Sequence, residues 1–508
     1  MKRFTLTTMM LGSLPVMASE KPNILLFIVD DMGWQDTSLP FDRSESQFNK
    51  IYHTPNMERL AERGVKFTSA YACSVSSPTR VSLMTGMNAP AHKVTNWTAL
   101  KDTPTDEKSD VLTYPDWNVN GMTTSKDRSD FDSKAVYSMP LPEVLRDNGY
   151  YTIHCGKAHF GAKDTATADP MNIGFDLNIA GHFAGGLGSY YASQKYGGDV
   201  NGVKRINAVP GLEKYHDTDT FVTEALTLEA IDALDKRDKE KPFFLYMSHY
   251  AVHIPIMPDP RFVQKYLDRG MDSREAAYAT LIEGMDKSLG DLLDYLDDEK
   301  LSENTIVIFF SDNGGYSATN ARGGELHTHN APLKSGKGSA HEGGIRVPMI
   351  VDWPGVTNSG SVCDDYMIVE DFYPTILEMA EADIPRNHQV VDGRSIVPML
   401  TGNGKNPANG RALYWNYPHN WGPSGPGIGA TCTIRQGDWK LIYCYQTGDK
   451  MLYDLAQDLG EEKNLAHCEP KIAARMSKQL GRYLRSVGAQ RPSFKESGEL
   501  CLWPDDKR

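Results

Sequence analysis

"NILLFIVDD", residues 23–31, carries six apolar residues without a break, Ile24 to Val29, and ends on two aspartates. A run this short and this rich in branched and aromatic side chains reads as a strand buried on both faces. The pattern recurs in "YYTIHCGK" (150–157), "PFFLYMSHY" (242–250) and "NTIVIFFSDNGG" (304–315). Between these runs lie helical patterns: "TPNMERLAERG" (54–64), "TFVTEALTLEAIDALDK" (220–236) and "YATLIEGMDKSLGDLLDYLDD" (278–298). Buried strands alternating with helices give an α/β fold, a large, mostly parallel sheet sandwiched by helices.

That texture stops beyond "DFYPTILEMAEA" (371–382). Short alternating strands around "TCTIRQGDWKLIYCY" (431–445), with a hairpin turn at Gln436, Gly437 and Asp438, precede a helix near 469–486. The expected organisation is a signal peptide at 1–18, a catalytic domain at 19–394, and a C-terminal subdomain at 395–508 with a small antiparallel sheet and a helix.

Composition narrows the function. Lys2 and Arg3 followed by an apolar stretch and Ala18 read as a cleaved secretory signal, so the mature protein is expected in the periplasm or outside the cell. No later stretch approaches the roughly 18 apolar residues of a spanning helix. A net charge of -13 with no basic stripe argues against nucleic acid as a partner. The seven cysteines are odd in number and scattered, neither a disulfide framework nor a zinc pattern.

In open α/β sheets ligands bind beyond the carboxyl ends of the strands. Four strand endings here carry suitable groups: Asp30 and Asp31; His154 with Lys157 and His159; His249 and His253; Asp312 and Asn313. The acidic and amide set offers only oxygen, the preference of a hard cation such as Ca²⁺. Arg80, Lys157 and Lys337 would repel a metal, and so make sense around an anion. Each pair alone has an ordinary reading as a strand-ending turn, and each lysine as a solvated charge; their convergence favours a site.

"SSPTRVSLMTG" (76–86) resembles the signature of type I, formylglycine-dependent sulfatases, (Cys or Ser)-x-Pro-x-Arg followed by apolar residues and Thr-Gly. "PNILLFIVDDMGW", "GKAHFG", "HYAVHIP", "SDNGG", "PLKSGKGSAHEGGIRVP" and "MLYDLAQDLGEEKNLA" resemble the family's other segments, in order, over nearly the whole mature chain. The resemblance is to serine-type bacterial carbohydrate sulfatases and implies an alkaline-phosphatase-like fold. It places Ser76, not Cys73, at the position converted to formylglycine; Cys73 is out of register with Pro78 and Arg80, and packing is its expected role. It implies Ca²⁺ ligands at Asp30, Asp31, Asp312 and Asn313. Arg80 and Lys157 would hold the formylglycine hydrate and sulfate, His159 would act as base, His253 as general acid and Lys337 as sulfate clamp. Ala158 departs from the Gly-Lys-Trp-His of many relatives, which implies the loss of a bulky wall residue.

The resulting expectation is an exported, exo-acting sulfatase of glycans bearing 6-O- or 4-O-sulfated galactose or N-acetylgalactosamine, matured on Ser76 before export. Substrate contacts are expected from His182 in "AGHFAGGLGSYY" (180–191) and from His419, Asn420 and Trp421 in "YWNYPHNWGPSG" (414–425), the latter folding over the site as a loop. His249, His327, His329 and His341 are open between structural roles and a sugar subsite. Two alternatives remain: a phosphatase or phosphodiesterase of the same superfamily, and a sugar-binding protein that never matures. The register at Pro78 and Arg80 makes one outcome specific: Cys73→Ser should keep kcat/KM for sulfate release within a few-fold of the parent, and a loss of about a hundredfold would move the reactive position to Cys73.

Overall fold

A computed structural model describes residues 21–124, 133–199, 201–203, 205–383, 389–402 and 410–507. The expected signal peptide lies outside these residues. The stretch at 23–31 forms β1, Asn23–Val29, the centre of a nine-stranded sheet. The other main strands are β2 (Val65–Tyr71), β3 (Tyr151–Gly156), β4 (Leu177–Ile179), β5 (Phe243–Ser248), β6 (Thr305–Ser311) and β7 (Arg346–Asp352). β1 pairs in parallel with β5 on one side and β6 on the other, and β3 joins β5 to β4.

β7 runs antiparallel to both β6 and β2. Because it is reversed, the segment that enters it, carrying Lys337, arrives at the same sheet edge where the parallel strands leave. Chain reversal therefore adds a cation to the carboxyl ends of β1, β3, β5 and β6.

β1 shows why both faces are covered. Ile24, Leu26 and Ile28 join one apolar core with helix α2 (Ser76–Thr85), and Leu25, Phe27 and Val29 join the other with α1 (Pro55–Arg63), α3 (Val222–Lys236) and α4 (Ser273–Asp298). Period-two alternation sends successive side chains to opposite layers, so a strand between two helical layers must be apolar throughout. Among the described residues no helix is long and apolar enough to cross a membrane.

A second sheet of four antiparallel strands, β8 (Ala412–Tyr417), β9 (Thr431–Gln436), β10 (Trp439–Cys444) and β11 (Lys450–Asp454), packs with helix α5 (Pro470–Ser486) around Ile434, Leu441, Leu452, Met476 and Leu480. β9 and β10 are joined at the expected hairpin turn, with Gln436 opposite Trp439. Residues 414–417, expected as loop, are the end of β8, because Tyr414 and Trp415 pair with Ile434 and Thr433.

The two sheets meet over buried charge. Lys440 Nζ lies 2.9 Å from both Glu342 Oε1 and Glu461 Oε1, and all three side chains are fully buried. Tyr71 donates to Glu342 Oε2 at 2.6 Å. Lys440→Ala removes the cation that bridges the two buried carboxylates, leaving Glu342 with Arg346 at 3.4 Å, so chemical denaturation should register a loss of about 3–5 kcal/mol; a loss below about 1 kcal/mol would show that the bridge is dispensable.

Candidate active site

β1 delivers Asp30 and Asp31 to the sheet edge, and Asp31 turns the chain with φ of 63°, a left-handed conformation that Asp tolerates better than most residues. β6 delivers Asp312 and Asn313 beside them. All four side chains are fully buried. Asp31 N donates to Asp312 Oδ1 at 3.2 Å, and Asn313 Nδ2 to Asp31 Oδ1 at 2.8 Å.

Charges of opposite sign close on this set. Arg80, one α-helical turn into α2, donates through Nε and Nη2 to Asp312 Oδ2 at 3.0 and 2.9 Å, and through Nη1 to Ser248 Oγ at 2.6 Å. Lys157, directly after β3, lies 2.7 Å from Asp30 Oδ2. Lys337 lies 2.6 Å from Asp31 Oδ1. Ser76 begins α2, and its Oγ sits 2.9 Å from Lys157 Nζ and 3.3 Å from both Asp30 Oδ1 and Asn313 Oδ1.

Burial sets the pKa values, modified by these neighbours. It lifts the Asp30 carboxyl well above the ordinary carboxylate range, aided by Asp312. At Asp31 burial is outweighed by Lys337 and His253, and at Asp312 by Arg80 and Lys157, so both stay below that range. Burial, reinforced by Lys157, pushes His159 well below its ordinary value. His253 falls to about 3 through burial and the Lys337 charge.

Both histidines have their proton placed by backbone carbonyls. His159 Nε2 donates to Thr98 O at 2.9 Å, leaving a buried Nδ1 with no partner and therefore an open lone pair. His253 Nδ1 donates to Ile254 O at 2.7 Å, so its Nε2, 3.8 Å from Asp31 Oδ2, is the nitrogen available for exchange. Ser76, His159, His253 and Lys337 line one cavity of about 660 Å³, with Trp97, Phe183, Tyr316 and Trp421 among its walls.

The donor set suits a hard divalent cation. Asp30, Asp31, Asp312 and Asn313 contribute buried oxygens, and ligand atoms of Asp30, Asp31 and His253 lie within 4.8 Å of one another.

A sulfatase profile matches residues 22–382. The chain belongs to the sulfatase family. A second profile, N-sulphoglucosamine sulphohydrolase C-terminal, matches residues 336–489 of this sulfatase. It is 29% identical to a sulfatase of Formosa agariphila, covering 96% of this chain and 93% of that one. It is 27% identical to N-acetylgalactosamine-6-O-sulfatase of Bacteroides thetaiotaomicron, covering 91% and 93%. Among solved structures, Ps i-CgsB in complex with k-i-k-neocarrahexaose superposes with a TM-score of 0.71 at 25% identity, covering 92% and 93%. The protein is therefore a sulfuric ester hydrolase with the expected fold.

The structure brings together Ser76, Arg80, Lys157, His159, His253, Lys337 and the four metal-ligand candidates. The substrate residues divide. Trp421 lines the cavity, edge-on to Tyr316 with ring centroids 6.1 Å apart and 5.9 Å from Lys337 Nζ. His419 does not: it is fully buried, its Nε2 2.6 Å from Thr95 Oγ1 and its Nδ1 2.6 Å from Asp106 Oδ1, so both nitrogens are already committed. Asn420 also lies outside the lining, its Oδ1 accepting from Gly422 N. His182 holds His159 in place through its carbonyl, which accepts from His159 N at 3.3 Å, and its ring lies against Phe183 and Tyr250 instead of in the cavity wall.

Ala158, read as a missing wall residue, is buried in the core beneath the site. Cys73 is likewise buried, and burial raises its thiol pKa far above the ordinary range, as suits a packing role. His249 and His329 are structural, bonded to Ser288 and to Ser317 and Gly323 respectively. His341 pairs with Glu461 at 3.1 Å.

Sequence reading missed the function of two glycines. A Cβ at Gly185 would stand 2.3 Å from His159 Cε1, and one at Gly186 would stand 2.8 Å from His253 Nδ1. The paired glycines let the loop lie flat on both rings and fix their planes. Gly185→Ala should thus lower kcat by at least about tenfold while leaving the fold intact by circular dichroism, since a small misplacement of a reacting group is costly; full activity would show that the ring has room to move.

Proposed function

We propose that this sulfatase is an exported, exo-acting carbohydrate sulfatase that removes 6-O- or 4-O-sulfate from galactose or N-acetylgalactosamine, using formylglycine made from Ser76. The observation that carries the reading is Ser76 Oγ, held 2.9 Å from Lys157 and 3.3 Å from Asp30 and Asn313 at a cavity with aromatic walls. A volume of about 660 Å³ with Trp97, Phe183, Tyr316 and Trp421 on its walls suits sugar rings, whose apolar faces stack on aromatic side chains. The named substrate of the Bacteroides relative and the oligosaccharide of the Ps i-CgsB complex support the carbohydrate class. The basic and apolar leader at 1–18 supports export to the periplasm or beyond, after a cellular maturase has acted on Ser76.

A serine hydroxyl alone is a weak nucleophile. A hydrated formylglycine would supply one hydroxyl for attack on sulfur and a second for the later expulsion of sulfate. Ca²⁺ held by Asp30, Asp31, Asp312 and Asn313 would add positive charge where the sulfuryl oxygens bind. Lys157 and Lys337 orient the anion and stabilise charge that grows on it, and Arg80 fixes Asp312 so that this geometry is set before substrate arrives. His253 carries its resting proton on Nδ1, so Nε2 would first take up a proton as the anionic sulfate enters the site, and would then pass that proton to the departing alcohol oxygen. His159, kept neutral by burial with Nδ1 open, accepts the proton that must leave residue 76 in the second half of the reaction.

A phosphatase of the same fold would use a second metal with its own His and Asp ligands. Among the described residues the carboxylates and histidines gather into one such group, around Asp30, Asp31 and His253, which favours the sulfatase chemistry.

Ser76→Ala should abolish sulfate release with the fold retained, whereas Ser76→Cys co-produced with an aerobic formylglycine-generating enzyme should restore it; turnover by the alanine variant would refute the nucleophile. Elemental analysis should find one calcium per chain, and Asp31→Ala should lose it, whereas two zinc ions would support the phosphatase. Trp421→Ala should reduce kcat/KM on a sulfated galactoside about tenfold, roughly 1.4 kcal/mol of transition-state binding, and much less on an aryl sulfate; equal losses would remove Trp421 from sugar binding.

A further inference from the structure

The wall of the cavity includes one cation that plays no part in the charge balance at Ser76. Arg205 lines it next to Ile206 and Asn207. One N–H of its guanidinium donates to the Gly188 carbonyl, and Arg205 makes no ion pair among the described residues. Arg80, Lys157 and Lys337, by contrast, are each matched by a carboxylate. Arg205 is itself exposed, at the mouth of the cavity it lines. Ile206, beside it in the lining, leaves 60% of its surface exposed, so an apolar side chain stands uncovered next to the cation at the cavity mouth.

Its place relative to the reacting groups is fixed by the glycine loop. Gly186 lies against the His253 ring, and Gly188 against the Arg205 side chain, where an added Cβ would be 3.2 Å from Arg205 Cδ. Two residues of chain span at most about 7 Å, so Arg205 and His253 lie near one another along the same cavity wall. His253 faces the oxygen of the departing alcohol, and groups beyond it face the rest of the glycan. A guanidinium matches the paired oxygens of a carboxylate or sulfate, and holds them more strongly when it has no competing acid. The chain as a whole carries a net charge of -13, which repels an anionic polymer, so a local cation is required to bring such a substrate in.

We propose that Arg205 forms a second anion subsite, which takes a carboxylate or an additional sulfate on the sugar adjoining the one that bears the scissile sulfate. The preferred substrate is then a multiply anionic oligosaccharide, not a singly sulfated one. This rests on the carbohydrate sulfatase reading above.

The test compares the matured enzyme with Arg205→Ala and Arg205→Lys on four substrates: an aryl sulfate, a sulfated galactose or N-acetylgalactosamine disaccharide with a neutral neighbour, and the same disaccharide with a carboxylate or a second sulfate on that neighbour. The parent should favour at least one of the doubly anionic disaccharides about tenfold in kcat/KM, through KM, and which one it favours tells carboxylate from sulfate. Arg205→Ala should erase that preference while costing the other substrates no more than about threefold, and Arg205→Lys should keep part of it. Turnover without any preference, or equal losses on all four substrates, overturns the subsite. A matured parent enzyme that turns over none of the four overturns the sulfatase reading, and the subsite with it.

Discussion

Three carboxylates and three cations, all buried at one edge of one sheet, hold this molecule's function together. Asp31 and Asp312 stay ionised here because Arg80, Lys157 and Lys337 face them, while burial lifts the Asp30 carboxyl; without those cations the buried charge would cost several kcal/mol per ion. The cations likewise could not be buried without the carboxylates. Since the two sets face each other, an arriving divalent ion and an arriving sulfate would each be met by groups of opposite sign already in place, and little would have to reorganise at the moment of reaction.

The scaffold supplies this balance from distant parts of the chain. β1, β3 and β6 each release charged residues at the same edge, while the reversed β7 brings Lys337 to it. The loop carrying Lys337 is pinned where its backbone N–H donates to Gly315 O at 3.1 Å and the next N–H to Ser74 O at 2.8 Å, tying it at once to the acidic strand end and to the entry of α2. The small sheet then adds Trp421 over the opening, and the buried Lys440 between Glu342 and Glu461 keeps that sheet in register with the loop. Two domains thus share one cavity.

Much of this was legible in the residues. Short apolar runs rich in branched and aromatic residues, set between helical patterns, point to strands covered on both faces, and charged groups ending several of them point to one shared edge. Other features were hidden because they depend on contacts between distant segments. A buried run such as Arg346–Asp352 reads alike in either direction, so its antiparallel course does not show in its pattern. His419 resembled a sugar ligand because its sequence neighbours are aromatic and polar, yet Tyr417 encloses it together with Tyr114, Trp117 and Asp106, which come from about three hundred residues earlier. Gly185 and Gly186 looked like loop filler; only the position of the two histidine rings shows why no side chain fits there.

The central claim is that this buried set of charges exists to hold residue 76 as an oxidised nucleophile. Mass analysis of the tryptic peptide 67–80 from catalytically active protein tests it most directly. The account predicts a peptide two hydrogens lighter than the encoded sequence, with the difference mapped to residue 76 and its occupancy rising in proportion to activity among preparations. Full activity in protein whose peptide carries only unmodified serine would contradict it.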